Sequence, residues 1–190
     1  MNEGQNSVVV GVLGERVFVK VHGKGNCQIS QPFCQFSNEI IKRGFREFIV
    51  DLGECSSMDS TFLGVLAGVG LRLMPANGHI HLANLNPRCR EVVASLGIDG
   101  LSTVDMCDVN LAVPLNGGGS APAPVLEPLA TSQSMPEDAE SKARYAEMMI
   151  EAHTTLMQID PQNIPKFKDC VRFLTEDLEK MRAAQKSSNS

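Results

Sequence analysis

Residues 48–67 of this chain read Phe48-Ile49-Val50-Asp51-Leu52-Gly53-Glu54-Cys55-Ser56-Ser57-Met58-Asp59-Ser60-Thr61-Phe62-Leu63-Gly64-Val65-Leu66-Ala67. The run 48–50 has no polar alternation, which predicts a strand buried on both faces. A polar loop follows it, and from Ser60 onward apolar residues recur at helical intervals as far as Met74. A buried strand, a loop and an apolar helix in this order are typical of an α/β fold.

Asp59 and Ser60 lie where the predicted helix begins. Both residue types are favoured there, because a side-chain oxygen can accept a hydrogen bond from an unpaired amide of the first turn. The positive end of the helix dipole also tolerates a phosphate better than most positions do. The spacing alone therefore favours a simple helix cap, with a regulatory phosphorylation site at Ser60 as the functional alternative.

Three motifs around Ser60 resemble the signature of the STAS domain family, whose founding members are bacterial anti-sigma factor antagonists. They are Val50-Asp51-Leu52, Met58-Asp59-Ser60 and Leu63-Gly64-Val65-Leu66. The flanking chain agrees in order and length over about residues 8–113, where segments 80–87 and 92–98 resemble the fourth strand, the third helix and its following turn. In this family the serine after the Met-Asp pair is phosphorylated by a partner kinase. The resemblance therefore implies that Ser60 is the phosphorylation site.

The resemblance further implies a partner-binding surface around Ser60, which includes the glycine-containing loop at residues 23–26. The implied partner-binding residues are Gly23, Lys24, Gly25, Asn26, Ser57, Met58, Asp59, Thr61, Leu63 and Gly64. The implied partners are an anti-sigma factor with serine kinase activity, which is bound while Ser60 is unphosphorylated, and a metal-dependent serine phosphatase that resets the switch. The alternative is a constitutive STAS scaffold, similar to a subunit of a lipid-transport ABC complex or a stressosome component.

The surrounding sequence predicts the remaining elements of one STAS domain at residues 8–113. Val-rich segments on either side of Gly14-Glu15 predict a β-hairpin. A helix is expected to open at Ser30-Gln31-Pro32 and close at Gly44, and a strand at 79–83 precedes a helix at 87–96. Together with the resemblance, this order predicts a STAS-like α/β fold, in which the mixed sheet has helices mainly on one face.

Residues 114–136 are rich in Gly, Pro and Ala, and they predict a flexible linker. A capping-box pattern at residues 134–137 then introduces two apolar helical faces, separated by Asp160-Pro161-Gln162-Asn163. Residues 137–186 are therefore expected to form a tethered helical hairpin. Since two helices alone cannot bury both faces, the hairpin should pack on the domain, on a partner, or on a second copy in a dimer. A third interpretation makes this hairpin the main functional element.

Composition excludes several classes of function. The net charge of −5 and the lack of a basic cluster argue against direct binding to nucleic acid. No apolar run approaches the roughly 18 residues that a transmembrane helix requires, so we expect no membrane insertion and a cytoplasmic location. The six cysteines are scattered, without metal-ligand spacing, and are expected to be reduced. The sequence therefore predicts a protein without metal, cofactor or enzymatic activity.

Overall fold

The computed structural model of the chain describes residues 6–107, 125–129 and 138–188. Its strands are β1 (Ser7–Leu13), β2 (Arg16–Gly25), β3 (Glu47–Asp51), β4 (Cys55–Met58), β5 (His79–Ala83), β6 (Val104–Cys107) and β7 (Glu127–Pro128). Its α-helices are α1 (Cys27–Lys42), α2 (Ser60–Leu73), α3 (Pro87–Ser95), α4 (Ala139–Ile159) and α5 (Ile164–Ser188). These elements form the predicted α/β fold and the C-terminal pair of helices.

The strands form one mixed sheet in the order β6-β5-β3-β2-β1-β7, with β4 added beside the end of β2. The hairpin β1–β2 is antiparallel, whereas β2–β3, β3–β5 and β5–β6 are parallel. Val19, Val50 and Leu82 lie side by side on neighbouring strands and are almost fully buried. This apolar row belongs to the main core, which also includes Phe33 of α1 and Phe62 of α2, with ring centroids 5.8 Å apart.

Two predicted boundaries near residue 26 were wrong. The loop at 23–26 is instead the end of β2 followed by the N-cap of α1, so that α1 begins at Cys27 and not at Ser30. The Asn26 side chain accepts hydrogen bonds from the amides of Gln28 and Ile29, which fixes this earlier start. Pro32 consequently lies inside the helix and not at its opening.

The predicted polar loop before Ser60 contains an additional strand, β4. Its parallel pairing with the end of β2 places Ser57 opposite Lys24 and Met58 opposite Gly25. The pattern of β4 does not predict a strand, because two serines interrupt the apolar residues. Pairing with an existing strand supplies the order that its own sequence lacks.

The C-terminal helices pack against the α/β part of the chain. Asp138 caps α4 by accepting from the amide of Ser141 at 2.8 Å, whereas the predicted capping box at residues 134–137 lies outside the described residues. At the turn after α4, the side-chain amide of Asn163 donates to the carbonyls of Leu96 and Leu156, at 3.0 and 2.9 Å. Since Leu96 follows α3, this buried asparagine fastens the hairpin to the α/β part.

The segment predicted as a linker is only partly described. Within it, β7 pairs antiparallel with β1, placing Glu127 opposite Val10 and Pro128 opposite Val9. Glycine at position 11 allows this segment to approach, because a Cβ atom there would lie 2.4 Å from the carbonyl oxygen of Val125. The domain boundaries predicted at residues 113 and 136 fall outside the described residues.

Candidate functional site

Asp59 holds the starts of two helices together. One carboxylate oxygen accepts from the amide of Phe62 at 2.9 Å, which caps α2. The other accepts from the amide of Cys27 at 2.9 Å, at the first residue of α1. The backbone amide of Asp59 also donates to the carbonyl of Gly25. These contacts fix the position of the next residue, Ser60, at the N-terminus of α2.

The hydroxyl of Ser60 forms a hydrogen bond with a residue of the C-terminal hairpin. Its Oγ lies 3.0 Å from Nε2 of His153, and Nδ1 of the same ring lies 2.8 Å from the carbonyl oxygen of Met149. Because a carbonyl only accepts, Nδ1 carries a proton, and in a ring with that single proton Nε2 is free to accept. Nε2 is then the acceptor, and the Ser60 hydroxyl donates to it. His153 is only 4% exposed, so this bond lies beneath α4.

The structure brings several of the predicted partner-binding residues together. Residues 23–26 and 57–59 lie side by side, since the ends of β2 and β4 pair just before α1 and α2 begin. The backbone of Gly25 lies so close to the ring of Phe62 that a Cβ atom on Gly25 would be 2.6 Å from that ring. Lys24 is exposed, and its amide donates to the side chain of Asn6 at 2.8 Å. A partner role for this group remains a prediction.

The other predicted partner-binding residues, Thr61, Leu63 and Gly64, are buried. Leu63 belongs to the main core. Gly64 faces α4, where a Cβ atom would lie 2.4 Å from the carbonyl oxygen of Ala152. In this conformation these residues therefore form no open surface, and a partner contact at Gly64 would require α4 to move.

Four residues at helical i, i+4 spacing form a stripe along α2, and we call this the α2 stripe. Its members are Ser60, Gly64, Gly68 and Arg72. Helix α4 crosses this stripe at residues 151–153: Ser60 bonds His153, Gly64 meets Ala152, and the guanidinium of Arg72 lies 2.9 Å from the carboxylate of Glu151. The absence of a side chain at Gly64 lets the two helix backbones approach closely. The Arg72–Glu151 ion pair adds a second contact between the helices.

Sequence reasoning did not identify His153, Ala152 or Glu151 as part of the site. The sequence of α2 contains one indication of a neighbour. Glycine weakens a helix interior, and Gly64 and Gly68 are four residues apart, which leaves part of one helix face without side chains. Such a pattern indicates a closely packed neighbour. It does not identify that neighbour, since α4 begins at Ala139, far along the chain from the end of α2 at Leu73.

Tyr145 of α4 reaches the same region. Its hydroxyl is buried and has no hydrogen-bond partner within the described part of the chain. Burial raises the pKa of this hydroxyl, and the neighbouring Cys27 and Asp59 raise it further. The first residues of α1 and α2 thus form the floor of the site, and α4 lies over them.

The Ser60–His153 pair has the donor–acceptor arrangement of a nucleophile and a base. The cavity along the α2–α4 contact, however, measures only about 10 Å³, roughly the room for one water molecule. Within residues 6–107, 125–129 and 138–188, no group of acidic, histidine or cysteine side chains could hold a metal ion. The geometry supports a packed helix–helix contact and not a pocket for a substrate.

No helix in the described ranges is long and apolar enough to cross a membrane. No family model matches the chain, and no curated protein matches it significantly. Among solved structures, the chain is similar to the anti-sigma factor antagonist SpoIIAA in its unphosphorylated form. That match has 20% identity and a TM-score of 0.50, covering 55% of this chain and 89% of SpoIIAA.

Two further structures are similar at lower TM-scores. A putative anti-sigma factor antagonist from Thermotoga maritima has 16% identity and a TM-score of 0.49, with 54% of this chain and 86% of that chain covered. The Bacillus cell fate determinant SpoIIAA in its phosphorylated form has 21% identity and a TM-score of 0.47, covering 55% and 92% of the two chains. On the match to unphosphorylated SpoIIAA, the covered part of this chain has the STAS-like fold of the anti-sigma factor antagonists.

Proposed function

We propose that this chain is an anti-sigma factor antagonist and acts in the cytoplasm as a protein-binding switch. While Ser60 is unphosphorylated, the surface around residues 23–26 and 57–64 binds an anti-sigma factor with serine kinase activity, and the sigma factor is released. Phosphorylation of Ser60 ends this binding, and a metal-dependent serine phosphatase restores it. In this role the chain has no enzymatic activity of its own.

One observation carries the proposal: Ser60 is the first residue of α2, in a fold shared with an anti-sigma factor antagonist. Asp59 makes two hydrogen bonds that fix the helix start, so the hydroxyl is presented at a defined position. A phosphoryl group there adds about −1.5 to −2 charges next to the Asp59 carboxylate. Burying that charge in a mostly neutral interface would be costly, and this opposes partner binding.

Pull-down experiments with the full chain test this switch. Ser60→Ala should retain the kinase partner, whereas Ser60→Asp should lose it. Ser102→Asp is the matched control, because Ser102 is exposed in the turn before β6 and receives the same charge away from the proposed surface. The proposal fails if Ser60→Asp retains every partner that Ser60→Ala binds, or if ATP and cell extract place no phosphate on Ser60.

A second candidate is the constitutive STAS scaffold, a subunit of a lipid-transport ABC complex or a stressosome component. The observation in its favour is that the Ser60 hydroxyl is already hydrogen-bonded beneath α4 and needs no phosphate for its role there. Co-purification of a transporter ATPase or of other STAS proteins, with Ser60 unmodified, would support this candidate over the switch.

A further inference from the structure

Helix α4 occupies one face of α2, and it is hydrogen-bonded there to Ser60, which is partly exposed. It crosses this face at residues 151–153, where His153 bonds Ser60 and Glu151 pairs with the long side chain of Arg72. Ala152, between these two residues, is 2% exposed, and Leu156, about one turn further along α4, is fully buried; both belong to the main core. The α4 contact is therefore a continuous packed interface, not a loose association.

The turn between α4 and α5 adds a second attachment. The amide of Asn163 bonds the carbonyl of Leu96, and the ammonium of Lys166 donates to the carbonyl of Ser95 at 3.2 Å. These bonds hold the hairpin at the end of α3, away from Ser60. We call this arrangement, with α4 packed on α2, the closed conformation. The hairpin is attached at two places, the α2–α4 contact and the turn after α4. Both attachments must break before the whole hairpin can leave the α/β part.

While Ser60 is bonded to His153, there is no room for a phosphoryl group between Oγ and the histidine ring. Nε2 of His153 lies within hydrogen-bond distance of Oγ, the atom to which phosphorus would be attached. Asp59 is adjacent and supplies a like charge, while the nearest cation on the α2 stripe, Arg72, lies three helical turns away and is paired with Glu151. A phosphate in this contact would overlap the His153 ring and be repelled by Asp59, and the N-terminus of α2 would offset that repulsion only in part.

We propose that the C-terminal hairpin is a built-in competitor that covers the Ser60 surface, so that docking of α4 excludes both partner binding and phosphorylation at Ser60. The closed chain is then inactive toward its partners. Opening exposes Ser60 together with Gly64, and a phosphate on Ser60 prevents the hairpin from closing again. The covering of Ser60 by α4 is independent of the proposed function, whereas the consequence for phosphorylation depends on it.

Two glycines of α2 offer a matched pair of variants. In Gly64→Ala the new methyl group would lie 2.4 Å from the Ala152 carbonyl oxygen, so α4 must move away. In Gly68→Ala the nearest atom is 3.4 Å away and belongs to the flexible Arg72 side chain, so α4 can stay. Both substitutions favour helix formation in α2 equally. Any difference between them therefore reports the hairpin contact.

Hydrogen–deuterium exchange of the full chain measures this contact directly. In Gly64→Ala we expect amides of α4 to exchange faster than in the wild type by about tenfold or more, while the central strands remain protected. Gly68→Ala should exchange like the wild type. Ala152→Leu introduces the same overlap from the hairpin side without altering α2, and it should reproduce Gly64→Ala. Wild-type protection of α4 in both Gly64→Ala and Ala152→Leu would overturn the proposal.

Phosphorylation of Ser60 by ATP and cell extract separates the two proposals. The competitor model expects Ala152→Leu, which leaves the proposed partner surface at residues 57–64 unchanged, to be phosphorylated several-fold faster than Gly68→Ala. Equal rates would overturn the competitor model and leave the proposed switch intact. If Ser60 stays unmodified in every variant while Gly64→Ala still releases α4, the switch fails and the covering of Ser60 stands. Phosphoserine encoded at position 60 should also speed exchange in α4, and unchanged protection there would contradict mutual exclusion.

Discussion

The two helices of the C-terminal hairpin are stabilised in different ways. Helix α4 buries Tyr145, Met148, Ala152 and Leu156 in the same core as the sheet and α2. Within the part of α5 whose side chains the structure describes, residues 164–185, the buried side chain is Leu178, which packs on Ala143 and Ala146 of α4. The stability of α4 thus depends on its packing against the α/β part, and the stability of α5 depends mainly on its packing against α4.

This difference predicts an order of loosening. Removing contacts of α5 should leave α4 in place, whereas removing contacts of α4 should release both helices. It also bears on the predicted dimer through the hairpin. The apolar face of α4 is already covered within the chain, so a second copy would have to use the outer side of α5, where Phe173 is 56% exposed.

The largest effect is expected for Leu156→Ala. Leu156 is fully buried between α4 and the core, and truncation of such a leucine costs about 3 kcal/mol through lost burial and a residual cavity. Urea unfolding should show this loss, and exchange should show α4 and α5 losing protection together. Persisting protection of α4 would contradict its dependence on the α/β part.

Leu178→Ala should cost less, about 2 kcal/mol, because its smaller cluster lies nearer the surface and can relax. Amides of α5 should exchange faster, while α4 and its bond to Ser60 remain as in the wild type. If Leu178→Ala released α4 as completely as Leu156→Ala, the two helices would be one cooperative unit and the comparison would fail.

Asn163→Ala tests the attachment at the turn. It removes the donor to the carbonyls of Leu96 and Leu156, and an unsatisfied buried group costs about 1–2 kcal/mol. We expect a lower urea midpoint and faster exchange at the end of α4. Gln162→Ala is the control, since Gln162 is exposed and its recorded hydrogen bond is made by the backbone. Equal midpoints for the two variants would show that the buried bonds contribute little.

Thiol labelling sharpens the comparison without altering stability. Cys34 is 8% exposed and lies under α4, and burial raises its pKa, so little reactive thiolate forms near neutral pH. Cys170 on α5 is partly exposed and should react before Cys34. Its label should appear well before that of Cys34, and Gly64→Ala should accelerate Cys34 selectively.

Cys55 provides an internal reference for that measurement. It is 1% exposed, and burial raises its pKa to about 11. Because the thiolate reacts, its labelling should stay slow at pH 8 and rise as the pH approaches that value. Equal acceleration of Cys34 and Cys55 in Gly64→Ala would indicate general unfolding and not release of α4. Peptide mass spectrometry resolves the three sites.

Local pattern was sufficient for much of the fold. The uniformly apolar run at 48–50 and the helix starting at Ser60 are where periodicity and capping predict them, since both depend on near neighbours in sequence. The predicted start of α1 is wrong. Proline is typical of a first helical turn, but Pro32 lies inside α1, and Asn26 supplies the cap. Strand β4 was missed because its order comes from pairing with β2.

The cover over Ser60 could not be predicted in the same way. The apolar face of α4 shows that it must pack somewhere, and the glycines of α2 show that something packs closely there. Pairing His153 with Ser60 requires the spatial position of a helix that lies 93 residues away along the chain. No local propensity carries that information, and the hairpin was accordingly expected on a tether.

Tyr145 gives the chain a natural optical reporter. It is the single tyrosine, and the sequence contains no tryptophan, so the tyrosine fluorescence of the protein comes from one side chain without interference from indole emission. That ring is 6% exposed and lies at the junction of α4 with the floor of the site. Departure of the hairpin would transfer it from a dry, rigid environment to water. Emission and near-ultraviolet dichroism of the unlabelled protein therefore follow the state of the Ser60 surface in real time.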